Sequence, residues 1–225
     1  MKAVVFDLFE TLVTEWGRYK YTKQDMATDL GLDREDFARE WKKLRNDMNL
    51  GVFRDMESVI KHLAAALNAK PIDRLVSEVC RKLDENKSEI YQNANHGVLA
   101  MVKTLKARGY KTGLISNCDP GDVCGFKDSA IYPYFDAVVL SYEAGLVKPD
   151  KKIYEHCAHL LGVACADCLF VGDGGSSELD GATKAGMSAA KAVWFSKSVI
   201  ESFDEDKTYP LMYTPGELLE YIETM

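Results

Sequence analysis

Apolar positions fall in two patterns along this chain. One is the short run rich in β-formers and bounded by turn residues: Ala3 to Phe6, Lys111 to Ser116, Ala137 to Leu140, Leu169 to Val171 and Ala190 to Phe195. Runs of this length and composition read as strands. The other is the helical stripe. Between about Tyr21 and Gln92 it is the only pattern present. Phe37, Trp41, Leu44 and Met48 share one face behind Asp33, a residue suited to cap a helix. Val59, Ile60, Leu63 and Leu67 follow Asp55, and Leu75, Val76, Val79 and Leu83 follow Pro71, which suits a first helical turn. Further on, the stripe Val98, Leu99, Val102 and Leu105 stops at Gly109. Other helices are expected after Pro149, between Val171 and Gly186, and after Pro215-Gly216.

Strands alternating with helices predict an α/β fold, a doubly wound parallel sheet with helices on both faces. Residues 1–16 and 93–225 are expected to form this Rossmann-like core. Residues 17–92 are expected to form an inserted all-α lobe of three or four helices. In such sheets ligands bind beyond the carboxyl ends of the strands. What collects there is chemically coherent. The first strand ends in Asp7, the second in Ser116-Asn117, and the fourth in Gly172-Asp173; "GLVKPD" after the third carries Lys148. Two carboxylates are hard ligands suited to Mg²⁺, a hydroxyl can donate to an anionic oxygen, and a lysine can balance negative charge. A strand-terminal Asp alone is often a turn former. Four such groups at successive strand ends are not explained as caps.

Composition narrows the function without changing the fold. The net charge is −7 and no basic stripe is visible, which argues against nucleic acid as a partner. No apolar run approaches the roughly 20 residues needed to span a membrane. The opening "MKAVVFDLFE" carries an acidic residue where a signal peptide stays apolar, so a cytoplasmic protein is expected. The six cysteines read as buried thiols. The CxxC at Cys165–Cys168 precedes a strand, on the wrong side for a redox motif, and has no second pair at zinc-site spacing.

The segments "VVFDLFETL", "GLISN", "GLVKPD" and "LFVGDGGSSELDGATKAGM" resemble, in that order, the haloacid dehalogenase-like hydrolase superfamily, in particular its branch with a helical cap after the first strand. The resemblance covers nearly the whole chain. It implies Asp7 as a nucleophile forming a covalent aspartyl intermediate, Ser116 as the hydroxyl holding the transferring group, and Lys148 as the cation steadying nucleophile and charge. It further implies a Mg²⁺ site from Asp7, Asp173 and the backbone carbonyl of Phe9. The implied substrate is a small phosphorylated metabolite, with Asn117 beside the site and Arg45 and Arg54 of the lobe as candidate ligands for a second anionic group.

Two positions depart from the phosphatase pattern. Phe9 stands where phosphatases of the superfamily place a second aspartate, the acid–base group for leaving alcohol and water. Its loss removes a contribution of roughly 10²–10⁴ in rate. Glu10 is adjacent, but on an extended chain it is expected to point to the other side. Glu178 matches the other acidic position of the last motif, as a metal neighbour or as a helix N-terminal charge. The missing acid opens two alternatives: a metal-independent 2-haloacid dehalogenase, because halide leaves without a proton, or a weakened member that binds without turnover. Phosphonate-cleaving relatives use a cap lysine; Lys20, Lys23 and Lys42 read instead as solvated.

Overall fold

The first strand stands at the point where the order of the sheet reverses. In the computed structural model, which describes residues 1–195 and 208–225, β1 (Ala3–Phe6) pairs on one side with β2 (Lys111–Ser116) and on the other with β4 (Cys168–Gly172). With β3 (Ala137–Leu140), β5 (Ser188–Ala192) and β6 (Leu211–Met212) the order is β3-β2-β1-β4-β5-β6, all parallel. The crevice of such a sheet opens at the carboxyl ends beside this reversal. Asp7 follows β1 there.

Side-chain alternation along β1 divides the core. Val4 and Phe6 face one layer, with Val98, Val102 and Leu105 of α5 (His96–Ala107) and Leu218 and Ile222 of α9 (Pro215–Glu223). Ala3 and Val5 face the other, with Ile153, Tyr154 and Leu161 of α7 (Lys151–Leu161) and Leu179 and Ala182 of α8 (Glu178–Lys184). A strand buried on both faces has no polar alternation, as its sequence shows. Each fully buried side chain the size of Phe6 stabilises the fold by roughly 1.5–3 kcal/mol.

A third apolar cluster is built from the inserted segment alone. Helices α1 (Lys23–Asp29), α2 (Arg34–Asn49), α3 (Met56–Ala66) and α4 (Asp73–Gln92) surround Met26, Phe37, Met48, Ile60, Leu63, Val76 and Val79. Asp33 and Asp55 cap α2 and α3, each accepting from backbone N–H groups of the first turn. The α2–α3 loop reaches the core at Tyr142 of the short α6 (Ser141–Ala144). At Gly51, with φ +74°, a Cβ would lie 2.0 Å from the Tyr142 carbonyl oxygen, so only glycine permits the approach.

Three expectations need adjusting. The fifth strand begins two residues before Ala190 and ends at Ala192, because Ser188, Ala189 and Lys191 carry a weak strand signal while Val193-Trp194-Phe195 carries a strong one. Pro71 precedes the cap of α4, Ile72, rather than lying in its first turn. The two-residue strand Leu211–Met212 was too short to register as a pattern. All six cysteines are free thiols. Among the described residues no helix is long and apolar enough to cross a membrane.

Candidate active site

Four loops at the carboxyl edge of the sheet converge on a buried ammonium. Lys148 Nζ bonds to Asp7 Oδ1 and to Glu178 Oε2, and its side chain is 3% exposed. Its backbone is fixed by Asn117, whose Nδ2 donates to the Lys148 carbonyl at 2.9 Å while its Oδ1 accepts the Lys148 N–H at 2.8 Å. Asn117, expected beside the substrate, does line the cavity, but its amide is spent on holding Lys148. The other Asp7 oxygen accepts from the buried Thr11 hydroxyl at 3.2 Å. Thr11 therefore belongs to the site.

Glu178 is buried rather than displayed at a helix end. Its Oε1 accepts the Gly174 N–H at 3.2 Å, and a Cβ on Gly172 would come within 2.1 Å of the same oxygen. The turn between Gly172 and α8 is tight: Gly174, Ser176 and Ser177 all have positive φ. Asp173 Oδ1 accepts the Gly175 N–H at 2.9 Å. Carboxylate oxygens of Asp7, Asp173 and Glu178 lie within 4.8 Å of one another. Three convergent hard donors suit a divalent cation of the Mg²⁺ kind.

Charge and burial oppose each other here. Burial alone would push the Lys148 ammonium down, but the carboxylates of Asp7 and Glu178 outweigh it and hold the lysine charged. Burial raises Asp7, against the pull of Lys148. Glu178 is pushed up to about 8, first by burial and then by Asp7, again against Lys148. One cation thus serves two buried carboxylates, and Asp173 adds negative charge beside them.

Above this group lies a cavity of about 270 Å³. Asp7, Lys148, Asp173 and Glu178 line it from the core, and Arg45 and Lys87 from the helical lobe. Phe9 and Glu10 line it too. Glu10 has φ +56°, so the chain turns after Phe9 instead of running extended, and the carboxylate is not carried to the opposite side. It accepts from the Thr14 hydroxyl at 2.6 Å and the Glu15 N–H at 2.9 Å, and burial raises its pKa. A second cavity of about 360 Å³ shares Glu15, Arg45, Lys87 and Asp122 with the first.

Two expected residues are placed differently. Ser116 ends β2 fully buried, with a hydroxyl that has no hydrogen-bond partner and does not line the cavity. Arg54 does not reach the cavity: its side chain is 91% exposed and pairs with Asp55 at 2.9 Å. It lies in the α2–α3 loop on the outer surface, where a guanidinium stays solvated. Lys87 was missed. The signal was there, for it lies four residues after Leu83 and three before Ile90, on the buried stripe of α4. Its ammonium bonds to Glu15 at 2.6 Å and Asp122 at 3.1 Å and stands 5.6 Å from the centre of the Phe9 ring.

The family model of the haloacid dehalogenase-like hydrolase matches residues 1–186, and the chain belongs to that family. Among curated relatives, mouse N-acylneuraminate-9-phosphatase is 42% identical over 69 residues, 31% of this chain and 27% of that protein. The chain thus spans only about a quarter of that relative's length. Glyceraldehyde 3-phosphate phosphatase of Methanopyrus kandleri is 25% identical over 83% of this chain and 82% of its own. Among solved structures, the 2-haloacid dehalogenase of Pseudomonas syringae superposes with a TM-score of 0.73 at 19% identity, covering 100% of this chain and 99% of that one. A likeness at that identity concerns the fold alone.

Proposed function

We propose that this protein is a Mg²⁺-dependent phosphatase of small phosphorylated metabolites, working in the cytoplasm, with Asp7 as nucleophile and residues 17–92 as a cap over the site. The observation that carries the reading is Lys148, buried between Asp7 and Glu178, with Asp173 alongside. A strand-tip carboxylate held by a buried cation is a poised nucleophile, and a carboxylate attack splits one hard displacement into two easier ones. In this reading a carboxylate oxygen of Asp7 attacks phosphorus. Lys148 steadies the carboxylate and offsets charge on the transferring group. The Ser116 hydroxyl is buried without a partner and off the cavity wall, so in this reading the phosphoryl oxygens rely on Lys148. Asn117 acts on Lys148, and Arg45 takes a second anionic group of the substrate. Asp7, Asp173 and the Phe9 carbonyl would hold the Mg²⁺, with Glu178 beside them. Bound there, the ion would neutralise charge on the phosphoryl oxygens.

The phosphatase relatives support this reading over the dehalogenase alternative. So does the acidic trio, which would repel an anionic haloacid unless a cation lay between them. The test is a screen of phosphate esters and 2-chloropropionate with and without Mg²⁺. Turnover of phosphate esters that needs Mg²⁺, and thermal stabilisation by beryllofluoride that is lost in Asp7→Asn, are expected. Chloride release in EDTA would favour the dehalogenase, and an unchanged melting temperature with beryllofluoride would count against a phosphatase.

A further inference from the structure

We propose that Lys87 of the helical lobe stabilises the departing oxygen of the substrate; this rests on the phosphatase reading above. In phosphoryl transfer the attacking and leaving oxygens lie roughly in line, on opposite sides of phosphorus. Asp7 attacks from the sheet, so the leaving oxygen points away from the strand tips, toward the side of the cavity lined by the lobe. The lobe side chains that line it are Arg45 and Lys87. Of these, Lys87 is the one locked in place. Glu15 and Asp122 anchor its ammonium at 2.6 and 3.1 Å, and its side chain is only 16% exposed. It stands over the face of Phe9, two residues after Asp7. A cation over an aromatic face is attracted to the ring, more so where water is excluded. An ammonium carries three N–H donors. Two are taken by Glu15 and Asp122, and the third serves a ligand in the cavity.

Phe9 thereby has a positive role. No carboxyl stands at that position; instead its ring packs against the Lys87 ammonium, 5.6 Å from the ring centre. An Asp7 oxygen forms a bond to phosphorus as the bond from phosphorus to the leaving oxygen breaks, and the electron pair stays on that oxygen. The Lys87 ammonium compensates the new charge and keeps its own proton. The departing oxygen takes a proton from water. A second water then attacks phosphorus, which releases inorganic phosphate and regenerates the Asp7 carboxylate.

A donor that acts on the leaving oxygen matters most when that oxygen is a poor anion. The experiment compares kcat and KM of wild type, Lys87→Met and Lys87→Arg on 4-nitrophenyl phosphate and on an alkyl phosphate turned over by the wild type. Loss of one preorganised donor to a developing oxyanion costs roughly 10²–10³ in kcat. Lys87→Met is expected to lose about that factor on the alkyl ester and under about 10-fold on the aryl ester, in kcat rather than KM. Lys87→Arg is expected to recover most of the loss, which a folding defect shared by both variants would not allow. Equal losses on the two esters, no loss, or a loss confined to KM would overturn the assignment while leaving the phosphatase reading standing. A wild type without phosphate-ester turnover would end both.

Discussion

Removing the Lys148 ammonium, as in Lys148→Met, leaves Asp7 and Glu178 buried with no cation between them. Both carboxylates are almost fully out of water, and Met fills the aliphatic part of the lost side chain. Breaking a buried pair from one side typically costs about 3–5 kcal/mol, because a charge stays behind unpaired. For a chain of this size each kcal/mol moves the melting temperature by roughly 2–4 °C, so a fall of roughly 6–20 °C is expected. The sign with pH follows from Glu178, whose folded pKa of about 8 lies above its unfolded 4.5. Between those values the folded state holds more protons, so this group's contribution to stability is complete below the lower one and lost as pH rises through the upper. Without Lys148 the two carboxylates are pushed up further and carry protons more readily. The deficit of the variant should therefore be smaller at about pH 5.5 and grow toward about pH 9, where wild-type Glu178 has lost its proton beside Lys148 and the variant's carboxylates still resist ionising. Urea unfolding in EDTA at both pH values measures it, and adding Glu178→Gln should recover part of the loss. A deficit that is the same at both pH values, or below about 1 kcal/mol, would refute the view that Lys148 neutralises two buried carboxylates.

Two further outcomes are expected. Asp119, buried after the Asn117-Cys118 turn, is pushed to about 7 by burial and then by Asp122, while its Oδ1 accepts from the Gly121 and Asp122 N–H groups. Its folded pKa lies above the unfolded 3.8, so it costs stability as pH rises through that range. Asp119→Asn keeps the acceptor and removes the charge, and should be more stable than wild type at about pH 8 by on the order of 2–4 kcal/mol, with little gain near pH 4. Chemical denaturation at the two pH values reads it; a constant difference would be contrary. Gly172→Ala would drive a methyl group into the Glu178 carboxylate, which Lys148 and Gly174 hold, so a loss of about 1–3 kcal/mol is expected together with a large fall in turnover. Wild-type stability and activity in that variant would show that Glu178 is free to move.

Much of the scaffold was legible because its signals are local. Four of the six strands lie at or within two residues of the runs that predict them, and Asp33 and Asp55 cap the helices they precede. Topology alone gathers Asp7, Ser116-Asn117, Lys148 and Asp173 at one edge, since parallel strands bring their carboxyl ends together; all but Ser116 line the cavity. What escaped depended on backbone turns or on pairing between segments distant in sequence. Alternation placed Glu10 away from the cavity, and a single positive φ brings it back. Glu178 read equally well as a helix-end charge; that it is buried against Lys148 follows from Gly172, which leaves room for its carboxylate. Arg54 and Lys87 are both cations of the helical lobe, and only the stripe of α4 distinguished them. Arg54 is exposed, and Lys87 is the one that turns inward.

In the proposed reaction Asp7 bonds directly to phosphorus. Acid quenching of the enzyme during turnover of a phosphate ester with Mg²⁺, followed by peptide mass spectrometry, tests it most directly. One phosphoryl group on the peptide containing Asp7, absent in Asp7→Asn and lost on mild base treatment, is expected. Turnover that proceeds with no phosphorylated peptide, or a phosphoryl group on another residue that persists in Asp7→Asn, would rule Asp7 out as the nucleophile.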